Sequence, residues 1–162
     1  MSQPSLWNSY GNQSLNGINY QSPPGCIDLP FDYVLPDPAQ FVTGAVVVPA
    51  AGSASFRQFL DQGALFLWYG LELPPPAAAT LYGYLVTVQI LVDNEQIFPD
   101  ALNNQVAFGN QTAPFPIFPT RWLRPGAVVD VQVTNYDPVN NLSNFALVLR
   151  GLKRFQASGG SR

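Results

Sequence analysis

The sequence predicts an all-β protein: a single antiparallel β-sandwich, jelly-roll-like, with seven to eight strands and an extended N-terminal arm. Apolar and polar residues alternate over Leu81 to Asp93 and over Ala127 to Thr134, the period-two pattern of strands with one buried face. The 162 residues include 16 prolines and 13 glycines, which suits many turns and disfavours long helices. No segment shows the 3.6-residue period of an amphipathic helix. A two-sheet sandwich accounts for all three observations.

Three segments are expected along the chain: an arm over residues 1–30, the sandwich over residues 31–156 and a flexible tail over residues 157–162. The arm is rich in Asn, Gln, Ser, Gly and Pro and holds too little apolar surface to fold alone. Its isolated apolar residues suit an arm that docks into grooves of a partner, and an inert terminus is the alternative. The expected docking residues are Leu6, Trp7, Tyr10, Ile18 and Tyr20.

Turn-forming residues divide the sandwich into strands. Ala64 to Leu73 is apolar on both faces and is followed by three prolines, so we expect a central strand there. Phe145 to Leu152 has the same character, and we expect it to be central and partly covered from outside the sandwich. Further strands are expected from Phe31 onward, over Phe41 to Val48, over Ser55 to Leu60, over Gln96 to Phe98 and over the two alternating segments.

A proline-punctuated aromatic stretch, Phe115 to Gly126, precedes the last two strands and is interpreted as a rigid loop. Within it, Arg121 and Arg124 flank Trp122. The indole could stack on a sugar ring and the guanidinium groups could bind a carboxylate, although loop arginines more often anchor their own backbone. These three residues are the candidate surface contacts.

The inventory of reactive side chains excludes most catalysis. The chain has no histidine and one cysteine, Cys26, which excludes a Ser/His/Asp or Cys/His centre and an internal disulfide. Zinc would lack ligands, calcium would need clustered carboxylates, and no phosphate-binding or nucleophile-elbow motif occurs, so no cofactor or metal is expected. The remaining enzymatic alternative is a carboxylate pair acting on a glycosidic bond, for which turn and surface roles are strongly favoured instead. The pairs are Asp93 with Glu95 and Asp130 with Glu72.

Exposed aromatic side chains that stack on sugar rings would make the domain a carbohydrate-binding module. The strand aromatics lie among apolar neighbours or on an apolar face, so core packing is favoured for them. The aromatic residue in the proline-rich stretch has no such neighbourhood. The candidates are Trp68, Tyr69, Tyr82 and Tyr84 in strands and Trp122 outside them.

Composition also constrains the partners. A net charge of −3 gives no electrostatic reason to expect nucleic-acid binding. Only 10% of the residues are charged, so the surface is expected to be partly covered by partners. No run of 18 apolar residues and no signal-peptide pattern occurs, which predicts a protein made in the cytoplasm without a membrane span.

The last third of the chain carries a recognisable order of motifs. Pro116 to Gly126 ends in Leu123-Arg124-Pro125-Gly126, an alternating strand and an Asn-containing turn follow, and the segment Leu149 to Phe155 has the form L-x-G-x-K-x-F. This order resembles small structural proteins of tailed bacteriophage virions. The resemblance implies a virion component, foremost a capsid decoration or cement protein that binds the major capsid protein or other virion proteins as a homo-oligomer. It transfers no catalytic residue.

Two rival functions stay open at this point. A neck, collar or tail component would share the virion but not the capsid surface, and a receptor-binding module would present the sandwich to a host glycan. A cellular carbohydrate-binding module is a third class and would need a route of secretion.

Overall fold

The computed structural model of the protein describes residues 13–15, 18–20, 22–36, 47–73, 86–103, 108, 114–143 and 145–156. This part of the chain contains thirteen strands and no helix, which confirms the all-β prediction. Seven of the strands are seven to ten residues long. They are β3 (Cys26–Leu35), β5 (Ser53–Phe59), β6 (Leu65–Glu72), β7 (Val86–Val92), β10 (Phe115–Leu123), β11 (Val128–Asn135) and β13 (Leu147–Gln156).

Six short strands complete the described fold. They are β1 (Gln13–Leu15), β2 (Ile18–Tyr20), β4 (Val47–Val48), β8 (Glu95–Gln96), β9 (Leu102–Asn103) and β12 (Leu142–Ser143). Two small antiparallel pairs, β1 with β2 and β4 with β12, stand apart from the larger sheets.

Two antiparallel sheets form the sandwich. The first sheet has the order β10-β6-β13-β3, and the second has the order β5-β11-β7-β8 with β9 also paired to β7. A two-sheet β-sandwich is therefore the architecture of the chain. The jelly-roll connectivity is a finer assignment and stays a prediction.

The two alternating segments supply the centre of the core. Along β7, Val86, Val88, Ile90 and Val92 are buried while the residues between them are half-buried. Val129, Val131 and Val133 of β11 are fully buried beside them, as the period-two pattern predicts. Side chains of the first sheet join the same cluster, so both sheets share one hydrophobic core. The first-sheet members include Leu35, Phe66, Trp68, Leu71, Leu147 and Leu149.

The first sheet also buries apolar side chains on its outer face. The sequence prediction of central strands is confirmed, because β6 lies between β10 and β13, and β13 lies between β6 and β3. On β13, Leu147 and Leu149 point into the core, whereas Val148 and Leu152 face outward and are nevertheless buried. Leu67, paired with Leu152, is buried on the same outer face.

The first long strand begins earlier than the sequence indicated. We expected the sandwich to start at Phe31, but β3 starts at Cys26 and pairs with β13 over ten residues, from Leu35 opposite Leu147 to Cys26 opposite Gln156. Asp28 and Pro30 interrupt the run of apolar residues, so the first half of β3 was not recognised as a strand from the sequence. The prediction was wrong at this boundary, and residues 26–30 belong to the sheet.

The stretch Phe115 to Gly126, which the sequence analysis interprets as a rigid loop, is mostly a strand, and that interpretation was wrong. Residues Phe115–Leu123 form β10 at an edge of the first sheet, and the turn at Arg124 to Gly126 follows. Pairing with β6 is interrupted between Pro116 and Arg121, and the Phe118–Pro119 peptide bond there is cis. Prolines are tolerated in an edge strand because one side of its backbone donates no ladder hydrogen bonds.

Several expected features lie outside the described residues. Leu6, Trp7 and Tyr10 of the arm, Tyr82 and Tyr84 of the alternating strand and the tail 157–162 belong to this group. Ile18 and Tyr20 are in β2, which forms an antiparallel pair with β1 within the segment expected to be an extended arm.

Candidate functional site

A surface groove of about 400 Å³ lies between the end of β10 and the β7–β8 hairpin. It lies at the side of the sandwich where β10, an edge strand of the first sheet, is close to β7 and β8 of the second sheet. Apolar side chains of the strand ends line its lower part, and charged side chains line its rim. The lining residues are Val92, Asp93, Glu95, Ile97, Arg121, Trp122, Leu123 and Arg124.

The floor of the groove belongs to the core. Val92 ends the buried row of β7, Ile97 follows β8, and Leu123 ends β10; each is less than a tenth exposed. Their placement follows from strand alternation, since Leu123 is paired with the core residue Phe66. The floor is therefore fixed by the packing of the two sheets.

An ion pair ties the two walls together. The Arg124 guanidinium donates two hydrogen bonds to the Asp93 carboxylate, at 2.9 and 3.0 Å, and the backbone N–H of Val128 donates a third at 2.9 Å. The Val128 hydrogen bond and the arginine hold the pKa of Asp93 below its ordinary value, against a smaller opposing effect of desolvation. Asp93 and Asn94 have positive φ, at 52° and 67°, so Asp93 lies in a tight turn, in agreement with the turn role that the sequence favours for it.

Two further charged side chains, Arg121 and Glu95, line the groove and make few contacts with the described residues. Arg121 Nη2 donates a long hydrogen bond, 3.5 Å, to the carbonyl oxygen of Ile97. Glu95 is exposed, and its carboxylate makes no hydrogen bond or ion pair with any of the described residues. Both groups can therefore exchange water for a ligand at low cost.

Trp122 is held in position by a row of side chains on the outer face of the first sheet. The Arg154 guanidinium lies 4.2 Å from the centre of the indole ring, a cation–π contact. Arg154 also donates two hydrogen bonds to Asp28, at 2.8 and 2.9 Å, and Asp28 accepts another from the Ser22 hydroxyl at 2.7 Å. Trp122 remains 41% exposed. The row thus links the start of β3 to the wall of the groove.

The structure brings together residues from two separate sequence hypotheses. Arg121, Trp122 and Arg124, the candidate surface contacts, share the groove with Asp93 and Glu95, one of the two carboxylate pairs. The two groups are far apart in the sequence, but the β7–β8 hairpin lies beside the end of β10, so they become neighbours in space.

The second carboxylate pair does not exist as a pair. Glu72 is buried on the outer side of the first sheet with Arg150, 2.7 Å away, whereas Asp130 bonds Arg57 across the outer face of the second sheet. The two carboxylates therefore lie on opposite outer faces of the sandwich.

Trp68 and Tyr69, two of the candidates for stacking on a sugar ring, are both at least partly buried in β6. Trp68 is fully buried and donates its indole N–H to the carbonyl of Gly70 at 2.9 Å, so it is a core residue. Tyr69 is half-buried in the same strand, and burial raises the pKa of its phenol.

Sequence reasoning missed an exposed apolar strip. Ile27, Leu29 and Phe31 alternate along β3 on the side that would face the second sheet, yet they are 44, 50 and 38% exposed. Their period-two spacing was visible in the sequence, but the assignment of residues 1–30 to the arm concealed it.

Within the described ranges, no group of three or more His, Cys, Asp or Glu side chains is arranged to hold a metal ion. None of the described segments forms a helix long and apolar enough to cross a membrane.

No protein-family model matches the chain, and no curated protein matches it significantly. Among solved structures, it is similar to a cycloisomaltooligosaccharide glucanotransferase of Paenibacillus sp. complexed with cycloisomaltoheptaose, at 18% identity and a TM-score of 0.23. The match covers 65% of this chain and 13% of that enzyme. A likeness at this level supports no statement about the activity of this chain.

Proposed function

We propose that this chain is a non-enzymatic structural protein of a virion, a capsid decoration or cement protein that docks on the major capsid protein through its sandwich and its N-terminal arm. The observation that carries the proposal is the exposed apolar strip Ile27, Leu29 and Phe31 on β3. Exposed apolar side chains that are contiguous along one strand mark a surface meant for a partner. The strip begins where the arm ends, so sandwich and arm can contact the same neighbour.

The charge distribution supports a docking role. Every cation in the described part of the chain except Arg121 has an acidic partner within the same molecule. A surface whose charges are already paired loses less hydration free energy when a neighbour covers it. The pairs are Arg57–Asp130, Arg124–Asp93, Arg150–Glu72, Lys153–Asp61 and Arg154–Asp28.

Docking through this strip would use side chains rather than strand addition. Pro30 lies in the middle of the strip and has no N–H to donate to an added strand. An apolar, uncharged depression on the capsid subunit is the surface that the strip fits.

The first test measures binding of purified protein to particles that lack it. Leu29→Asp places a charge in the strip without touching the core, and we expect it to abolish binding and the gain in heat stability of the particles. Val139→Asp is the matched control, because Val139 is 79% exposed in a distant turn, and it should bind as wild type. Full occupancy by the Leu29→Asp protein would refute docking through the strip.

The second test addresses the arm. Deletion of residues 1–21 leaves β3 complete and keeps Ser22 on Asp28. We expect the shortened protein to occupy fewer capsid sites at equal concentration, with its far-UV circular dichroism still that of a β-protein. Unchanged occupancy after the deletion would remove the arm from the proposal.

Copy number per particle distinguishes a decoration protein, present in many copies, from a neck or tail component present in few.

A further inference from the structure

We propose that the groove between β10 and the β7–β8 hairpin is a binding site for a neutral saccharide, a sugar ring with adjacent hydroxyl groups. This site is separate from the docking strip on β3 and gives the protein a second binding function. The inference depends on the charge balance of the groove, the free polar groups on its rim and the apolar surface beneath them.

The charge balance favours an uncharged ligand. Asp93 and Glu95 carry two negative charges, and Arg121 and Arg124 carry two positive charges. Asp93 and Arg124 neutralise each other through two hydrogen bonds. The remaining Glu95 and Arg121 have opposite charges, so the groove has no net charge that would favour an anionic or a cationic ligand over a neutral one.

The free polar groups match hydroxyls. The Glu95 carboxylate can accept two hydrogen bonds. Arg121, whose one hydrogen bond to the described residues is the long contact to Ile97, can donate several. A hydroxyl group both donates and accepts, so a pair of adjacent hydroxyls can bridge an acceptor and a planar donor. Hydrogen bonds to ionised groups are the stronger class.

The apolar part of the groove matches the C–H face of a sugar ring. Val92, Ile97 and Leu123 form the floor, and Trp122, with 41% of its surface exposed, stands at the wall. A volume of about 400 Å³ falls in the range of ~300–1,000 Å³ that is typical of small-molecule sites. Apolar lining with a few oriented polar groups is also typical of such sites.

The groove is preorganised. The Arg124–Asp93 ion pair fixes the distance between its walls, and the Arg154 guanidinium on the indole limits the rotamers of Trp122. A ligand therefore does not have to order these side chains, which lowers the entropic cost of binding.

The test titrates the full chain with neutral disaccharides of glucose, galactose and mannose, using calorimetry and saturation-transfer NMR. We expect at least one of them to bind. Trp122→Ala should weaken that binding by about tenfold or more, a loss of apolar contact. Glu95→Ala should weaken it similarly while leaving the fold intact, because Glu95 is exposed in a two-residue strand. The controls are Tyr136→Ala and Asp100→Ala, an exposed aromatic and an exposed acid outside the groove, which should bind as wild type.

Three results would overturn the inference. They are no binding of any disaccharide in the panel, wild-type affinity in both groove variants, and tighter binding of glucuronic acid than of the neutral sugars. The docking proposal fails separately: a Leu29→Asp protein that loses capsid binding should keep sugar binding, and a Glu95→Ala protein should show the reverse.

Discussion

Gly151 is the residue at which the first sheet has least room. A Cβ added there would collide with the ring of Phe66 and the carbonyl oxygen of Leu67, at the point where the pairing of β13 with β6 shifts register. We expect Gly151→Ala to lower the free energy of unfolding by about 1–3 kcal/mol, the usual cost of overpacking. Gly63→Ala is the control, since its Cβ would make only ordinary contact with Asp61. Equal stability of the two variants in urea unfolding would contradict this account.

Glu72 is the most deeply buried carboxylate among the described residues, and the Arg150 guanidinium offsets the cost of burying its charge. The two side chains are 2.7 Å apart, with Glu72 only 2% exposed. Arg150→Met should lower the free energy of unfolding by roughly 3 kcal/mol, because it leaves a buried charge without its cation. Adding Glu72→Gln to that variant should restore part of the loss. A double variant less stable than Arg150→Met, measured by denaturant unfolding, would show that the pair is not the cause.

Asp93 predicts a dependence on pH. The pKa of its carboxyl is below the ordinary 3.8, mainly because Val128 N–H donates to it, so the folded chain binds its proton less well than the unfolded chain. The stability that Asp93 contributes is therefore present above about pH 4 and is lost as the pH falls through the folded pKa. Asp93→Asn should be less stable than wild type at about pH 6 and should approach it at about pH 2.5. A difference in urea midpoint that stays constant over this range would refute the prediction.

The strand β7 shows how far alternation alone can predict a fold. Val86, Val88, Ile90 and Val92 could be assigned to the core from period two, because each inward position is apolar and β-branched. We expect Ile90→Ala to cost about 2–5 kcal/mol of stability, as buried aliphatic truncations do. Leu91→Ala, one residue along and facing outward, should cost markedly less in thermal or urea unfolding. A reversed order would mean that the faces are assigned wrongly.

The two edge strands of the first sheet, β10 and β3, were harder to predict than the central strands. β10 contains Pro116 and Pro119, and β3 contains Pro30, whereas β6, β7, β11 and β13 contain no proline. Proline in a strand is a sign of an edge only when the order of the strands is known. A single sequence does not give that order, so the prolines suggested a loop over Phe115 to Gly126 and an arm before Phe31.

The groove was predictable in part for the same reason. Arg121, Trp122 and Arg124 are close in sequence and stood out as a local cluster. Asp93 and Glu95 lie about thirty residues earlier, and their arrival beside Arg124 depends on the sheet-to-sheet packing that local pattern does not encode.

At the scale of the whole molecule, the two sheets should unfold together. Their inward side chains belong to one cluster, which contains Trp68 from the first sheet and Val131 from the second. Near-UV circular dichroism, which senses the buried Trp68, and far-UV circular dichroism, which senses the sheets, should give the same urea midpoint. Separated transitions would mean that the sheets are independent units.

The two outer faces of the sandwich differ in chemistry. On the second sheet the outward rows hold Ser55, Gln132 and Gln89, paired across the strands, and none of the described residues buries a large apolar side chain on that face. On the first sheet, Leu67 and Leu152 are buried on the outward side. The outer face of the first sheet therefore buries apolar side chains beside the Arg150–Glu72 and Arg154–Asp28 ion pairs, whereas the described outward residues of the second sheet bury no apolar side chain of that size.

The side chain of Lys153 has a consequence for chemical labelling. It is the only lysine in the chain, and its ammonium group lies 3.4 Å from the centre of the Phe31 ring and 3.3 Å from an Asp61 oxygen. An amine held in this way is slow to meet an acylating reagent until the end of β3 opens. The rate of acylation of this side chain, measured by mass spectrometry, therefore reports how often the structure around Phe31 opens locally. A partner bound to the strip Ile27, Leu29 and Phe31 should lower that rate.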